Sequence, residues 1–560
     1  MLPVLSKIFT DILIRRLTKW CDLNDKLAHE QGGFRKEHST IDSIFCLSTL
    51  VTKSLRKSTG RFYVAFVDFE KAFDRINIQA PFQTLFSQNI STKMTNIIKS
   101  IYSDVKARVK SSKGCSESFE CPFGVRQGCS LSPLLFSLFL NDVKDFISEG
   151  SHGVDLDMHT LFVLLYADDL AIVAETRIEL QRLLDKLRLY CQKWKMRVNT
   201  DKTKIIVFRN GGYLRAYEKW FFGTYQLEVV TYFKYLGLVF SSRLSWYMCQ
   251  KTIAAQASKA VFALKSSLAN YTHVSTDILF KIFDSKIQPI LTYGAELWFP
   301  HNANDIEIVH TKFCKYVLKL PWQASNAFVR GELGRFKLNC YYILKPIRYW
   351  LRLLEMSDTR MHKQFYKCQY KWAENGDTCW ALHIKNILFQ SGFGYAWLNQ
   401  GVGNKTMFLS EFRQKFKDVS LQIWNEEIRE SSRLSNYRLV KINFGIEPYI
   451  NSIDNLYSRS LLLRFRGGIL PLLCNKGVYY SIPWAQRICP LCKLDVETEY
   501  HFLLICPKLS TIREKLLPRY LYENPSEIKY IIFVSSSRQS LNFALANYIK
   551  HALKLREAVM

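Results

Sequence analysis

Long apolar runs are missing from this sequence of 560 residues. The most apolar stretches, residues 131–140 and 161–166, are shorter than the ~18 residues that a membrane-spanning helix requires. The opening residues also lack the pattern of a secretory signal peptide, because a charged segment at 11–19 follows them closely. We therefore expect a protein that is neither secreted nor embedded in a membrane, and that is located in the nucleus, the cytoplasm or both.

Acidic residues are scarce relative to basic ones. The 77 lysines and arginines outnumber the 49 aspartates and glutamates, which leaves a formal net charge of +28. Such an excess indicates binding to a polyanion, either nucleic acid or an anionic membrane surface, with an affinity that depends on salt. Proline and glycine are also sparse, at 15 and 24 residues, so the composition excludes a disordered or fibrous chain.

The cysteine pattern does not suit a disulfide scaffold. Fifteen is an odd number, and the cysteines are spread over a large chain, which is typical of reduced intracellular thiols. One group is organised, with the spacing Cys489-x2-Cys492-x8-His501-x4-Cys506. Three thiolates and an imidazole at these intervals can close a tetrahedral, structural Zn²⁺ site. The alternative is four unrelated residues whose cysteines are merely buried.

Strand-like and helical patterns alternate over the first 210 residues. The order predicts an α+β fold, with an antiparallel sheet and helices packed on one face. Ser132 and Pro133 fit the N-cap and the first position of a helix. Beyond residue 250 the pattern becomes mainly helical and rich in aromatic residues. Strands are predicted at 62–67, 162–165, 170–174 and 205–208, a hairpin at 105–122, and helices at 134–146 and 180–194.

Carboxylates follow two of these apolar strands. Asp68 ends the first strand, and Asp168 and Asp169 lie in the turn between two later ones. A carboxylate at the end of a buried strand is costly unless a cation or hydrogen bonds compensate it. Three converging carboxylates suit Mg²⁺, and two such ions ~4 Å apart catalyse phosphoryl transfer. The alternative is an ordinary acidic turn, with Asp68 as a capping residue.

Six short motifs, in a fixed order, carry a family resemblance. Together they resemble the reverse transcriptases of LINE-type (non-LTR) retrotransposons, whose RNA-directed DNA polymerase has the right-hand fold of fingers, palm and thumb. The motifs are QGGFRK at 31–36, FVDFEKAFD at 66–74, GVRQGCSLSP at 124–133, YADD at 166–169, NTDKTK at 199–204 and FKYLG at 233–237.

The resemblance implies a site for two Mg²⁺ ions. Asp68, Asp168 and Asp169 would bind the ions, and the carbonyl of Phe69 would be a further ligand. Phe73 matches the bulky residue that blocks a ribose 2′-hydroxyl and so selects deoxynucleotides. The alternative for Phe73 is a plain core aromatic residue.

The same resemblance assigns residues to the substrates. Gln127 and Gly128 would lie beside the incoming nucleotide and the template base, since glycine permits a close backbone approach. Lys202 would protonate the leaving pyrophosphate, although Lys204 fits almost as well. Arg35 would touch the triphosphate. The expected partners are an RNA template, a DNA primer or target, and deoxynucleoside triphosphates.

The C-terminal cysteine and histidine cluster resembles the zinc knuckle found in many such elements. We expect it to hold a basic platform against RNA or target DNA. Two further stretches, at 293–298 and 331–335, also resemble the family but suggest no mechanism. The expected platform consists of Arg464, Arg466, Arg487, Lys493 and Lys508.

The resemblance also predicts a division of the chain. Because the family carries more sequence upstream, we expect an N-terminally truncated element that lacks part of its fingers and any nuclease. Two alternatives to a reverse transcriptase remain open: a decayed or repurposed product that binds RNA without polymerising, and an RNA-directed RNA polymerase. The predicted regions are partial fingers (1–60), palm with primer-grip hairpin (61–240), helical thumb (241–300), mainly helical connector (301–480), zinc knuckle (481–515) and helical tail (516–560).

Overall fold

The chain divides into two compact units, which are described separately. The first comprises Met1–Cys249 with Tyr349–Gln390, and the second comprises Gln250–Arg348 with Ser391–Met560. The computed structural model describes residues 4–559 except 58–59, 77–81, 83–84, 86–87, 104, 113, 121–123, 127, 158, 270–273 and 302.

A six-stranded sheet in the order β11-β12-β10-β1-β9-β8 forms the centre of the first unit. Strand β1 lies between β9 and β10 and is antiparallel to both. Its interior position explains why all of its residues from Phe62 to Val67 are buried. The strands are β1 Arg61–Val67, β2 Lys106–Ala107, β3 Lys110–Ser111, β4 Gly114–Cys115, β5 Phe119–Glu120, β6 Val154–Leu156, β7 His159–Leu161, β8 Val163–Tyr166, β9 Asp169–Ala174, β10 Lys204–Arg209, β11 Trp220–Phe222, β12 Tyr225–Val229, β13 Tyr232–Tyr235 and β14 Leu238–Ser241.

Helices pack against this sheet to complete the core of the first unit. The helix Arg177–Trp194 buries Leu180, Leu183, Leu184 and Leu187, which recur at helical spacing, in the cluster that also contains β1 and β9. The helices of this unit are Val4–Leu23, Thr40–Leu55, Ala72–Arg75, Thr92–Tyr102, Ser132–Phe139, Val143–Ser148, Arg177–Trp194, Met361–Glu374 and Trp380–Gln390.

The sequence predictions for this unit are confirmed in class and corrected in detail. The four predicted strands and the hairpin are present, and the fold is α+β as expected. The sheet is not wholly antiparallel, because β10 and β12 pair in parallel. Ser132 is the first helical residue rather than the N-cap. Its hydroxyl donates instead to the Arg126 carbonyl (2.7 Å), which fixes the loop before the helix.

The second unit is built from helices. No helix in the described part of the chain is both long and apolar enough to cross a membrane. Its helices, and those at the boundaries between the units, are Tyr247–Ser267, Thr276–Ile282, Gln288–Leu291, Ala295–Trp298, Asn304–Val317, Asn326–Leu333, Asn339–Tyr342, Leu344–Glu355, Gly394–Leu398, Lys405–Glu430, Ser435–Val440, Pro448–Ser452, Leu456–Arg466, Leu473–Tyr479, Ser510–Leu516, Arg519–Tyr522, Glu527–Val534 and Gln539–Val559.

A buried ion pair lies in the core of the second unit. Glu332, which is fully buried, accepts hydrogen bonds from Arg466 Nη2 (3.1 Å) and from the hydroxyl of Tyr449. Arg466 Nη1 also donates to the carbonyl of Val534 (2.6 Å). The expected basic platform is therefore wrong at Arg466, because this guanidinium is 1% exposed and already paired. The pair also gives a structural reason for the stretch at 331–335.

Candidate active site

Asp68, which directly follows β1, is positioned by the segment that precedes β10. Its backbone N–H donates to Thr203 Oγ1 (3.2 Å), and its carbonyl accepts from the N–H of Asn199 (2.8 Å). Both partners belong to the segment that leads into β10, the neighbour of β1 in the sheet. These two hydrogen bonds therefore fix the backbone that carries the half-buried Asp68 carboxylate.

Asp168 and Asp169 lie in the tight turn between β8 and β9. Tyr166 pairs with Asp169, so Ala167 and Asp168 form a two-residue connection, with Ala167 at φ +59°. In the antiparallel pairing of β1 with β9, Val67 lies opposite Leu170. Continuing this register by one residue places Asp68 opposite Asp169. Residues that face each other in an antiparallel pair have Cα atoms only about 4.5–5.5 Å apart. The register thus brings together carboxylates a hundred residues apart in sequence.

The electrostatics of Asp169 reflect this convergence. Desolvation, followed by the negative charges of Asp168 and Asp68, raises the pKa of Asp169 to about 6. A cation between these carboxylates would relieve their repulsion. The donor set, consisting of carboxylate oxygens on a rigid sheet, fits Mg²⁺.

An open cavity of about 530 Å³ joins the carboxylates to the hairpin of β13 and β14. Asp68, Asp169 and Lys202 lie on one side of the cavity, and Tyr232 and Lys234 line it from the hairpin. The hairpin is held in place by ring stacking between Phe66 of β1 and Phe233 (centroids 4.5 Å apart, interplanar angle 15°). The predicted primer-grip hairpin therefore borders the same cavity as the carboxylates.

The two candidate lysines have different surroundings. Lys202 Nζ lies 3.9 Å from Asp68 Oδ2, and its side chain is 70% exposed. Lys204 Nζ donates to Glu228 Oε2 at 2.5 Å, across the parallel pairing of β10 with β12. The ammonium group of Lys202 therefore lies beside a carboxylate of the predicted site, whereas that of Lys204 is paired with Glu228.

The predicted nucleotide-selecting residue, Phe73, lies between two aromatic rings. It stacks on Phe136 (4.4 Å between centroids) and meets Phe34 edge-on (6.5 Å), yet it stays partly exposed. The ring is therefore anchored in the core without being fully covered. The nearby Phe69 is buried and forms an isolated antiparallel bridge with Val198.

The remaining predicted substrate residues are less clearly grouped. Gly128 is exposed at φ +81°, with open space where a side chain would begin, as a close backbone approach requires. Gln127 lies outside the described residues. Arg35 donates through Nη1 to the carbonyl of Ala28 (2.9 Å), and its charged neighbours include Asp22 and Arg360.

The C-terminal cluster assembles as the spacing predicts. One ligand atom from each of Cys489, Cys492, His501 and Cys506 lies within 4.8 Å of the others. The sulfurs of Cys489 and Cys506 are 3.9 Å apart, and Cys492 Sγ is 3.3 Å from His501 Nε2. Zinc–sulfur bonds of about 2.3 Å in a tetrahedron place two sulfurs about 3.8 Å apart. The separation found therefore fits a zinc ion.

A buried ion pair anchors this cluster, and sequence reasoning missed it. Glu497, four residues before His501, accepts from Arg556 Nε (2.6 Å) and Nη2 (2.9 Å), and both side chains are buried. Glu497 also accepts from the N–H of Leu473 (2.6 Å). The pair spans 59 residues of sequence, so no local pattern could have revealed it.

Comparison with known families agrees with this geometry. Residues 1–240 match the family described as "Reverse transcriptase (RNA-dependent DNA polymerase)". This match confirms the predicted fold class for this part of the chain.

Its relatives are proteins of mobile elements. The chain is 23% identical over 363 residues to the RNA-directed DNA polymerase from mobile element jockey of Drosophila melanogaster, covering 60% of this chain and 37% of that protein. It is 27% identical over 220 residues to a Pol polyprotein from the type-1 retrotransposable element R2 of Nasonia vitripennis, covering 38% of this chain and 21% of the relative. The chain thus spans about a third of the length of the first relatives it matches.

Among solved structures, the apo telomerase of Candida tropicalis superposes with a TM-score of 0.35. The two chains are 13% identical, and the superposition covers 72% of this chain and 61% of the telomerase chain.

Proposed function

We propose that this chain is an RNA-directed DNA polymerase of a non-LTR retrotransposon, which extends a primer on an RNA template by two-metal nucleotidyl transfer. The observation that carries the proposal is the register of β1 and β9, which brings Asp68 to the turn that holds Asp168 and Asp169. The names of the relatives support the same activity. The chain's charge of +28 suits a partner made of nucleic acid.

The residues of the cavity would divide the work of the reaction. Asp68, Asp168 and Asp169 would hold two Mg²⁺ ions, whose chemistry would be to activate the primer 3′-hydroxyl and to stabilise charge on the leaving oxygen. Lys202, beside Asp68, would give a proton to the pyrophosphate as it leaves. The hairpin with Tyr232 and Lys234 would hold the primer end.

Selection among nucleotides would fall to residues at the other edge of the site. Phe73, which is partly exposed, would exclude a ribose 2′-hydroxyl, because its ring is stacked on Phe136. Gly128 would let the backbone approach the nucleotide. The proposed substrates are therefore an RNA template, a DNA primer and deoxynucleoside triphosphates.

We further propose that the C-terminal cluster is a structural zinc knuckle. Four protein ligands leave no open coordination position, so the ion would have no catalytic part. Its role would be to fix a short, loop-rich segment against the helix Gln539–Val559, to which the buried pair of Glu497 and Arg556 also ties it. Arg464, which is exposed, stays available for nucleic acid, whereas Arg466 does not.

Primer extension on an RNA template tests the polymerase. The wild-type chain should extend a DNA primer with deoxynucleotides in the presence of Mg²⁺, and the Asp168→Ala variant should not. Asp185→Ala, at an exposed aspartate on the helix Arg177–Trp194, is the matched control and should retain activity. RNA binding without extension in the wild type would favour the non-polymerising alternative. A preference for ribonucleotides would favour an RNA polymerase.

A further inference from the structure

The segment Gln31 to Gly33, far upstream of the carboxylates in sequence, is bonded to strand β8. Gln31 forms a parallel bridge with Leu165, and the N–H of Gly32 donates to the Leu165 carbonyl (2.9 Å). The N–H of Leu165 donates in turn to the carbonyl of Glu30 (3.0 Å). The segment therefore runs beside β8 up to the turn that carries Asp168 and Asp169.

The side chain of Gln31 reaches this turn directly. Its Oε1 accepts two backbone N–H groups, one from Gly33 (2.8 Å) and one from Ala167 (3.1 Å), and the side chain is 1% exposed. Its Nε2 is buried and finds no partner in the described part of the chain. An unpaired buried donor costs stability, so the useful group at this position is the carbonyl oxygen.

Ala167 needs such support because its backbone is strained. A residue with a Cβ atom at φ +59° lies in the left-handed region, which is unfavourable unless the surroundings fix it. Gly33 adds a steric constraint, since a Cβ built there would lie 2.3 Å from the backbone nitrogen of Ala167. The turn is thus held from one side by a hydrogen bond and by close backbone packing.

We propose that Gln31 is a positioning residue for the metal-binding turn: by accepting from Ala167, its carbonyl oxygen sets the directions in which Asp168 and Asp169 project. Gly33 permits the approach on which this bond depends. The proposal rests on the proposed function, because it assigns Gln31 a part in holding the same metal ions.

Two substitutions at Gln31 distinguish the effect of its hydrogen-bond acceptor from the effect of its side-chain length. Gln31→Met keeps the length but removes the oxygen, whereas Gln31→Glu keeps an acceptor that two N–H groups stabilise as a carboxylate. Gly33→Ala tests the packing. Gly211→Ala is its matched control, because nothing lies within 4 Å of a Cβ at Gly211.

Metal binding and turnover are measured in parallel on the full chain. Loss of a group that orients metal ligands costs about 10–100-fold in affinity or activity, so Gln31→Met and Gly33→Ala should show such losses. The losses should appear in Mn²⁺ affinity by electron paramagnetic resonance and in kcat, with an unchanged KM for the template–primer. Gly211→Ala should stay close to the wild type, and Gln31→Glu, which keeps an acceptor for Ala167, should lose less kcat than Gln31→Met.

The outcomes separate the two proposals. A folded Gln31→Met chain with wild-type Mn²⁺ affinity and kcat would overturn the positioning role. Loss of Mn²⁺ affinity in Gln31→Met, in a chain whose wild type never extends a primer, would sustain the positioning role and overturn the polymerase. Folding of each variant is confirmed by circular dichroism and by thermal unfolding.

Discussion

Lys202 Nζ lies 3.9 Å from Asp68 Oδ2, while two residues further on Lys204 is bonded to Glu228. This difference makes the two lysines a matched pair. Lys202→Ala should lower the single-turnover rate of nucleotide addition by about a hundredfold, the usual contribution of a general acid. Lys204→Ala should change the rate little, because its ammonium group is engaged with Glu228. Equal losses in rapid-quench primer extension would contradict the assignment of Lys202.

Phe73 offers a test of nucleotide selection. Replacing it by Val removes the ring edge while leaving an apolar side chain on Phe136, so ribonucleotides should be accepted at least about tenfold more readily relative to deoxynucleotides. The measurement is the ratio of kcat/KM for the two nucleotide types on one template. If Phe73→Val lost stability without a change in this ratio, Phe73 would be a core aromatic residue only.

Zinc content tests the C-terminal cluster. The purified chain should contain about one equivalent of zinc, and Cys489→Ser should lose it because one of four ligands is gone. Cys474→Ser is the matched control, since Cys474 is a buried cysteine of the same unit outside the cluster. Atomic emission spectroscopy measures the metal. If the wild-type chain contained no zinc and hydrogen exchange showed that it is folded, the four residues would form no metal site.

The buried pair of Glu332 and Arg466 makes a prediction about stability. Arg466→Met leaves the Glu332 carboxylate buried without its partner, which should cost about 3–5 kcal/mol of the free energy of unfolding. Arg464→Met, on the same helix but exposed, should change it by less than about 0.5 kcal/mol. Urea unfolding followed by tryptophan fluorescence measures both. Similar losses in the two variants would show that the ion pair contributes little.

His362 makes the stability of the first unit depend on pH. Burial lowers the pKa of His362 to about 4. The negative charge of Asp42 opposes this shift, whereas the positive charges of Arg352, Arg360 and Arg35 add to it. Since an unfolded histidine titrates near 6.5, only the unfolded chain takes up this proton as the pH falls below about 6.5. The contribution of His362 to stability is therefore complete above pH ~6.5 and falls by about 2 kcal/mol at pH 5.

Replacement of this histidine isolates the effect. His362→Gln should flatten the decline in unfolding free energy between pH 7 and 5, measured by urea titration at each pH. The same change at His551, an exposed residue of the C-terminal helix, controls for the substitution itself. An equally steep decline in His362→Gln would assign the pH dependence to other groups.

Local patterns predicted several elements of the first unit, because the apolar residues that each of them buries recur at strand or helix spacing. The apolar run 62–67 became a central strand, and the leucines at 180–187 became the buried face of a helix. The parallel pairing of β10 with β12 was missed, because pairing direction depends on where the chain returns and not on the strand's own residues. Ser132 was mistaken for an N-cap because the same Ser-Pro pair can also occupy the first helical turn.

The burial and pairing of charged residues could not be predicted from local sequence patterns. Arg464 and Arg466 are equivalent in a sequence, yet one faces solvent and the other pairs with Glu332, 134 residues away. The sequence does not distinguish Lys202 from Lys204 either, whereas in the folded sheet Lys204 pairs with Glu228. Burial and pairing of a charge depend on distant segments, and a local pattern contains no information about these.

The chemistry available to this protein could be deduced from residue types and their spacing: three carboxylates at strand ends, a Cys-Cys-His-Cys set of zinc-ligand type, and a strongly basic chain. Their residue types and spacing express local geometry and charge, which neighbouring residues define. Folding was needed to bring Asp68 close to Asp169, to bond Gln31 to Ala167 in the turn beside them, and to pair Glu497 near the cysteine cluster with Arg556. These relationships join segments up to 136 residues apart through hydrogen bonds that form only once the chain has folded.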